Sequence, residues 1–350
     1  MPLPAVGGVK MPKTMLAAVF EGRGKLALKK MPVPKIEKPG EVLLKVEAAS
    51  ICGTDVHILH VPPGHPATPG AILGHEYVGE VLEVGHACGG LRPGDKVAVD
   101  PNVTCGHCPA CQLGRHNMCR EMTTLGIFIH GGFAPFNVAP ARQLHRYDRR
   151  LKPEIAVFAE PLACVVNAWK KLNLFPGEGV VVLGAGPIGQ YFIQLSRASG
   201  AGKIVAVEPN PRRRRFAKIS GAEIVIDPTK KNLPESVAKV FPSGPEVVID
   251  AVGSLADRAV GIAGRAGRIM LFGQNALARA QIAQNIITRN ELTVMGSYIA
   301  KHTFPEAIRL LETGKVNVKP LITHRLKLSE IKKGLRAMEK GQAINAIVFP

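Results

Sequence analysis

A chain of 350 residues is longer than one hydrophobic core usually organises, so about two domains are expected. Apolar residues make up 46% and charged residues 21%, values that exclude a disordered, collagen-like or disulfide-dense secreted chain. The formal net charge of +18 favours anionic partners, but aromatics are only 5% and the basic residues are mostly dispersed, so nucleic acid is disfavoured as the main partner.

No stretch approaches the roughly 20 apolar residues that cross a bilayer, and residues 1–14 lack the apolar segment of a secretory signal. The expectation is a soluble cytoplasmic protein without a membrane partner. From about residue 25 to residue 141, short β-branched runs alternate with Gly and Pro turns. Strands are predicted over 41–46, 77–84 and 96–99, the last after the turn Arg92-Pro93-Gly94-Asp95. Beyond Glu178 the rhythm changes to buried strands separated by helix-length segments. They are predicted at 180–183, 204–207, 223–226, 247–250 and 269–272, a pattern that gives a parallel sheet covered by helices. Helices over 305–313 and 329–340 and a closing strand over 343–349 follow.

Four of the seven cysteines, Cys105, Cys108, Cys111 and Cys119, fall within fifteen residues, bracketed by Gly106, Pro109 and Gly114. Four thiolates in one polar, Gly-rich loop point to closed tetrahedral zinc with no position open to substrate; an iron-sulfur cluster is the smaller alternative.

In Val180-Val181-Val182-Leu183-Gly184-Ala185-Gly186-Pro187-Ile188-Gly189 a buried strand runs into G-x-G-x-x-G and then a helix over 190–199. Gly184 makes the tight turn, Gly186 admits a pyrophosphate, and Gly189 permits close helix-to-strand packing. Glu208 ends the second strand, nineteen residues after Gly189. A carboxylate there accepts ribose hydroxyls and repels a 2′-phosphate, which favours NAD over NADP. Among the four arginines at 212–215, Arg213 is the candidate for stacking on the adenine or reaching the ribose, and this cluster leaves some tolerance of NADP open.

A second constellation is dispersed: Cys52-Gly53-Thr54-Asp55-Val56-His57, Gly74-His75-Glu76 and Glu160-Pro161. Cys, His and Glu all coordinate a catalytic zinc, which needs three protein ligands and an exchangeable fourth position.

With these motifs in this order, residues 15–350 resemble the zinc-dependent medium-chain dehydrogenases, the family of alcohol, sorbitol and threonine dehydrogenases. The resemblance implies an α/β protein: a GroES-like β-barrel catalytic domain over 1–164 and 299–350, and a Rossmann doubly wound parallel-sheet cofactor domain over 165–298. It implies two zinc ions per chain and makes Cys52, His75 and Glu76 ligands of the catalytic one, with Glu160 a ligand or directly behind one. Thr54 resembles the hydroxyl that bonds the substrate oxygen, His57 the outer member of the proton relay, and Asp55 the carboxylate that orients His75. Cofactor contacts are expected at Gly184, Gly186, Pro187, Ile188, Gly189, Glu208, Arg213, Phe272, Gly273, Ser297 and Tyr298.

The run Ala159-Glu160-Pro161-Leu162-Ala163-Cys164 resembles the polyol branch, but Ile58 and Ile299 stand where sorbitol dehydrogenases place a Tyr and an Arg on the sugar alcohol. The expected activity is therefore hydride transfer between a secondary alcohol or polyol and NAD, giving a ketone. L-Threonine 3-dehydrogenase-like activity is the alternative, and a basic zinc-stapled nucleic-acid-binding protein is the alternative from another class. A zinc-free quinone reductase is disfavoured by the ligand set. The family's microbial members suggest a homotetramer.

Overall fold

The protein is described from a computed structural model covering residues 11–350. The chain forms two compact units, one running to Glu160 and resuming at Ile322, the other Pro161–Leu321.

The first unit is built around the strand Glu41–Ser50, which is buried along most of its length and paired along both edges. Glu76–Val84 pairs antiparallel with one edge; Phe136–Pro140 and Asn345–Phe349 share the other. The sheet continues through Lys96–Val99 to Leu144–Arg146 at one end and through Asn345–Phe349 to Ile322–Lys327 at the other. Register fixes what matters for function: Ser50 lies opposite Glu76. Cys52, just past the end of one strand, and His75, just before the start of the next, are thereby neighbours although 23 positions separate them. A short ladder of Asn102–Val103 against Thr123–Thr124 closes the base of the cysteine loop.

The second unit holds a six-stranded parallel sheet in the order Ile224–Ile226, Lys203–Val207, Gly179–Leu183, Val247–Asp250, Arg268–Leu271, Thr293–Gly296. Gly179–Leu183 and Val247–Asp250 are buried throughout, as unbroken apolar runs require in a parallel sheet. Chain order reverses at Gly179–Leu183, which makes the carboxyl ends of the strands there the place where doubly wound sheets bind ligands. The sixth strand, Thr293–Gly296, has no counterpart among the predicted elements. It is a four-residue edge strand with Val294 exposed, so it lacks the buried apolar signature of the others.

The expected division at 164/165 and 298/299 differs from these units, in which residues 161–164 and 299–321 lie with the parallel sheet. Side-chain bonds hold them there. Thr303 Oγ1 donates to the Ala163 carbonyl at 2.6 Å, and the Asn317 backbone nitrogen donates to Gln194 Oε1 at 2.6 Å. The predicted helix over 190–199 begins earlier, as Pro187–Ala198, because Pro187 occupies its first position, where no N–H is needed. The helices predicted over 305–313 and 329–340 are Phe304–Glu312 and Ile331–Glu339. No helix among the described residues is long and apolar enough to cross a membrane.

Candidate zinc and dinucleotide sites

The sulfurs of Cys105, Cys108, Cys111 and Cys119 converge: Cys105–Cys111 at 4.0 Å, Cys108–Cys119 at 3.9 Å and Cys105–Cys119 at 3.6 Å. Tetrahedral coordination with metal–sulfur bonds of about 2.3 Å places sulfurs about 3.8 Å apart, so the loop fits zinc. Backbone N–H groups of Cys105 and Cys108 also point at sulfur, at 3.4 and 3.3 Å. The Cys111 backbone N–H brings the Cys108 thiol down to about 6.

The second cluster joins Cys52, His75 and Glu76, whose ligand atoms lie within 4.8 Å of one another. Cys52 precedes the short helix Gly53–Ile58, and its backbone N–H donates to Asp55 Oδ2 at 2.8 Å. That bond turns Asp55 inward, with Oδ1 3.8 Å from His75 Nδ1. Both atoms are buried without a hydrogen-bond partner, so this carboxylate stands next to the imidazole but beyond hydrogen-bond reach of it. Gly74 sets the entry to His75. Its φ is +91°, and a Cβ there would lie 2.6 Å from Phe133 Cδ1.

The charges of this pocket do not balance. Burial pushes the Cys52 thiol well up, with Glu76, Asp55 and Glu160 adding to the effect. Burial likewise raises Asp55 to about 6, against the pull of His75, and raises Glu76. A thiol and two carboxyls that each resist ionisation around one imidazole, with the Glu160 charge acting on the thiol, form a site suited to a divalent cation. Glu160, in the first turn of the helix Ala159–Leu172, is buried and acts on Cys52 through its charge. Thr54 is half-buried, whereas His57 is exposed at its helix's last turn. The His57 ring centroid lies 5.7 Å from that of His60, and partial burial, then His60 and His65, hold its pKa below the ordinary histidine value.

In the second unit the glycine loop leaves the strand Gly179–Leu183 at Gly184, whose φ of +89° suits glycine. A Cβ on Gly189 would run into the Gly184 carbonyl, so the loop and its helix touch backbone to backbone. Gly186 precedes Pro187 and Ile188 at the helix start. Glu208 is buried, and its carboxylate accepts from the backbone nitrogens of Ala185 at 2.8 Å and Asn210 at 2.9 Å.

The four arginines part company. Arg214 pairs with Asp227 at 3.1 Å and donates to the carbonyls of Glu208 and Pro209. Arg213 turns toward the loop: its Nη1 lies 3.9 Å from where a Cβ on Gly186 would stand, and its buried Nε has no hydrogen-bond partner. Phe272 stacks edge-on against Phe192 at 5.2 Å, and the Gly273 N–H donates to the Asp250 carbonyl at 3.0 Å. Ser297 Oγ is buried without a partner, and Tyr298 is partly exposed beside it.

Three residues of this unit were missed by sequence reasoning. Asp250 ends its strand as Glu208 ends another, and its carboxylate accepts from Val252, Gly253 and Leu255, shaping the loop that meets Gly184. An acid closing a parallel strand before Ala-Val-Gly was the available signal. Gln190, in the glycine-loop helix, and Asn167, which donates to the Tyr298 and Ile299 carbonyls, carried no local signal.

Comparison with known proteins gives the family of the chain. The family model described as "Alcohol dehydrogenase GroES-like domain" matches residues 38–149, and that described as "Zinc-binding dehydrogenase" matches residues 187–313. The chain is 35% identical over 308 residues to the L-threonine 3-dehydrogenase of Pyrococcus furiosus, covering 86% of this chain and 88% of that one. It is 33% identical over 324 residues to the D-altritol 5-dehydrogenase of Agrobacterium fabrum, covering 91% and 94%. Among solved structures, a putative zinc-binding dehydrogenase from Sinorhizobium meliloti 1021 bound to NADP superposes with a TM-score of 0.92 at 32% identity, covering 97% of this chain and 100% of that one. This chain belongs to the zinc-dependent medium-chain dehydrogenase family and combines a GroES-like domain with a Rossmann-type one.

Proposed function

We propose that the protein oxidises a secondary alcohol or polyol to a ketone with NAD as hydride acceptor, using one zinc ion at Cys52, His75 and Glu76 and a second held by the four-cysteine loop. The observation that carries this reading is the Cys52–His75–Glu76 cluster, with His75 and Glu76 buried, and its uncompensated acidic surroundings. Zinc bound there supplies Lewis acidity that lowers the pKa of a substrate hydroxyl. Asp55, beside His75, and Glu160 add negative charge that favours the cation. Thr54 would relay the hydroxyl proton, its Oγ1 accepting it as its own proton leaves toward His57, which lies on the exposed side of the same helix and releases it to water. In the second unit the glycine loop holds the pyrophosphate, Glu208 receives the adenosine ribose, and Arg213 supplies a donor beside the loop. Phe272, Gly273, Ser297 and Tyr298 complete the cofactor contacts.

Threonine at C3 and altritol at C5 both carry secondary hydroxyls, so the names of the two relatives support that substrate class. L-Threonine itself is the second reading, favoured by the Pyrococcus relative. A cytoplasmic homotetramer rests on the family resemblance. The test is cofactor reduction by the zinc-loaded protein against polyols, inositols, acyclic secondary alcohols and L-threonine, with NAD and NADP in parallel and zinc counted per chain. Reduction with none of these alcohols, or only one zinc per chain in active protein, overturns the reading.

A further inference from the structure

Gln190 is fully buried in the helix Pro187–Ala198, one position after the last loop glycine. A carboxamide at such a position is costly unless bonded, whereas leucine or methionine would fill the space without that cost. Its Nε2 donates to the Ala185 carbonyl at 2.7 Å and reaches the Arg213 carbonyl at 3.5 Å; its Oε1 has no partner. The group is half satisfied, and its one short bond is to the glycine loop.

That bond acts on a particular peptide. Ala185 O belongs to the planar trans peptide whose N–H is that of Gly186, and the two groups point in opposite directions. Holding the oxygen toward Gln190 turns the Gly186 N–H the other way. On the preceding peptide, the Ala185 N–H is held by Glu208 at 2.8 Å. Glycines flank the residue on both sides, with Gly184 at a φ of +89°, so without these two bonds the loop peptide would flip at small steric cost.

We propose that Gln190 is a positioning residue of the dinucleotide loop, orienting the Ala185–Gly186 peptide so that the Gly186 N–H faces the cofactor's pyrophosphate. This rests on reading the loop as a nicotinamide dinucleotide site. Calorimetry on the zinc-loaded protein tests it with three probes: NAD, ADP-ribose, which has the pyrophosphate but no nicotinamide, and adenosine, which has neither. In Gln190→Met, the Kd for NAD and ADP-ribose should rise about tenfold while that for adenosine changes less than about twofold, with kcat at saturating NAD retained. Gln190→Leu, of similar size but without the donor, provides a second variant and should show the same split. Unchanged ADP-ribose affinity, or equal weakening toward adenosine and ADP-ribose, would overturn the proposal and leave the dinucleotide reading standing. Failure of the wild-type protein to bind ADP-ribose would overturn both.

Discussion

The Glu208 carboxylate, at the end of one strand, accepts the backbone N–H of Ala185, inside the glycine loop that leaves the next, at 2.8 Å. The acid is thus part of the loop's own scaffold as well as the candidate ribose acceptor. Two of its lone-pair sites serve Ala185 and Asn210, and a carboxylate has about four. Its charge remains opposed to a 2′-phosphate, whereas Arg213 turns toward the loop. The expected NAD preference is on the order of tenfold to a hundredfold, for about 1–3 kcal/mol. Glu208→Ser should narrow or reverse the ratio of kcat/KM for NAD over NADP. It should also cost about 1–3 kcal/mol of stability by leaving the buried Ala185 N–H unpaired. A variant with the wild-type cofactor ratio would refute the ribose role.

Cys108→Ser should act on stability before chemistry. Closed thiolate sites contribute folding free energy and offer no substrate position. A loss of about 2 kcal/mol corresponds to a fall in Tm of roughly 3 °C, accompanied by the loss of one zinc per chain. An unchanged Tm with full zinc content would remove the structural assignment.

Cys52→Ala and His75→Ala should lower kcat/KM by about three orders of magnitude or more, roughly 4 kcal/mol of transition-state stabilisation. The dinucleotide loop is built entirely from the second unit, so NAD affinity measured by calorimetry should stay within about twofold. Full activity in either variant would contradict the ligand roles.

A pH dependence follows from His57. Partial burial, then His60 and His65, hold its pKa below the ordinary histidine value, so the neutral, proton-accepting form persists to lower pH. His60→Asn removes one of these influences and should move the acid limb of the kcat/KM profile to higher pH. Turnover near pH 6 falls while turnover near pH 8 is unchanged. The solvent-exposed pairing of His60 with Glu339 contributes little to stability, so the shift is not a folding effect. An unmoved acid limb would separate His57 from the relay.

The cysteine loop and the glycine loop are legible in the sequence because each concentrates its chemistry within a few residues, where spacing alone constrains geometry. The Cys52–His75–Glu76 cluster is legible only through the resemblance and not through spacing, since its members become neighbours through the register that sets Ser50 opposite Glu76, a consequence of strand pairing. The strand Thr293–Gly296 escapes for a different reason, since an exposed four-residue edge carries no alternation or apolar run. Gln190 and Asn167 escape because a buried amide has no local signature; their value lies in which carbonyl they reach after folding. The 299–321 segment joins the parallel-sheet unit through such bonds, which periodicity cannot reveal.

The Asn167 amide carries a stability prediction. Ile299 sits at a φ of +38°, a left-handed conformation that costs a β-branched residue on the order of 1–2 kcal/mol. Asn167 Nδ2 donates to its carbonyl at 2.7 Å and to that of Tyr298 at 3.3 Å, holding the strained turn closed. Asn167→Ala should therefore destabilise the protein by about 1–2 kcal/mol, losing two bonds and the restraint on Ile299. In an Ile299→Gly background, where the left-handed conformation needs no restraint, the same substitution should cost less, with a coupling of about 0.5–1 kcal/mol in a double-mutant cycle. Urea unfolding of the four proteins measures this, and strictly additive losses would show that Asn167 does not act through the strained residue.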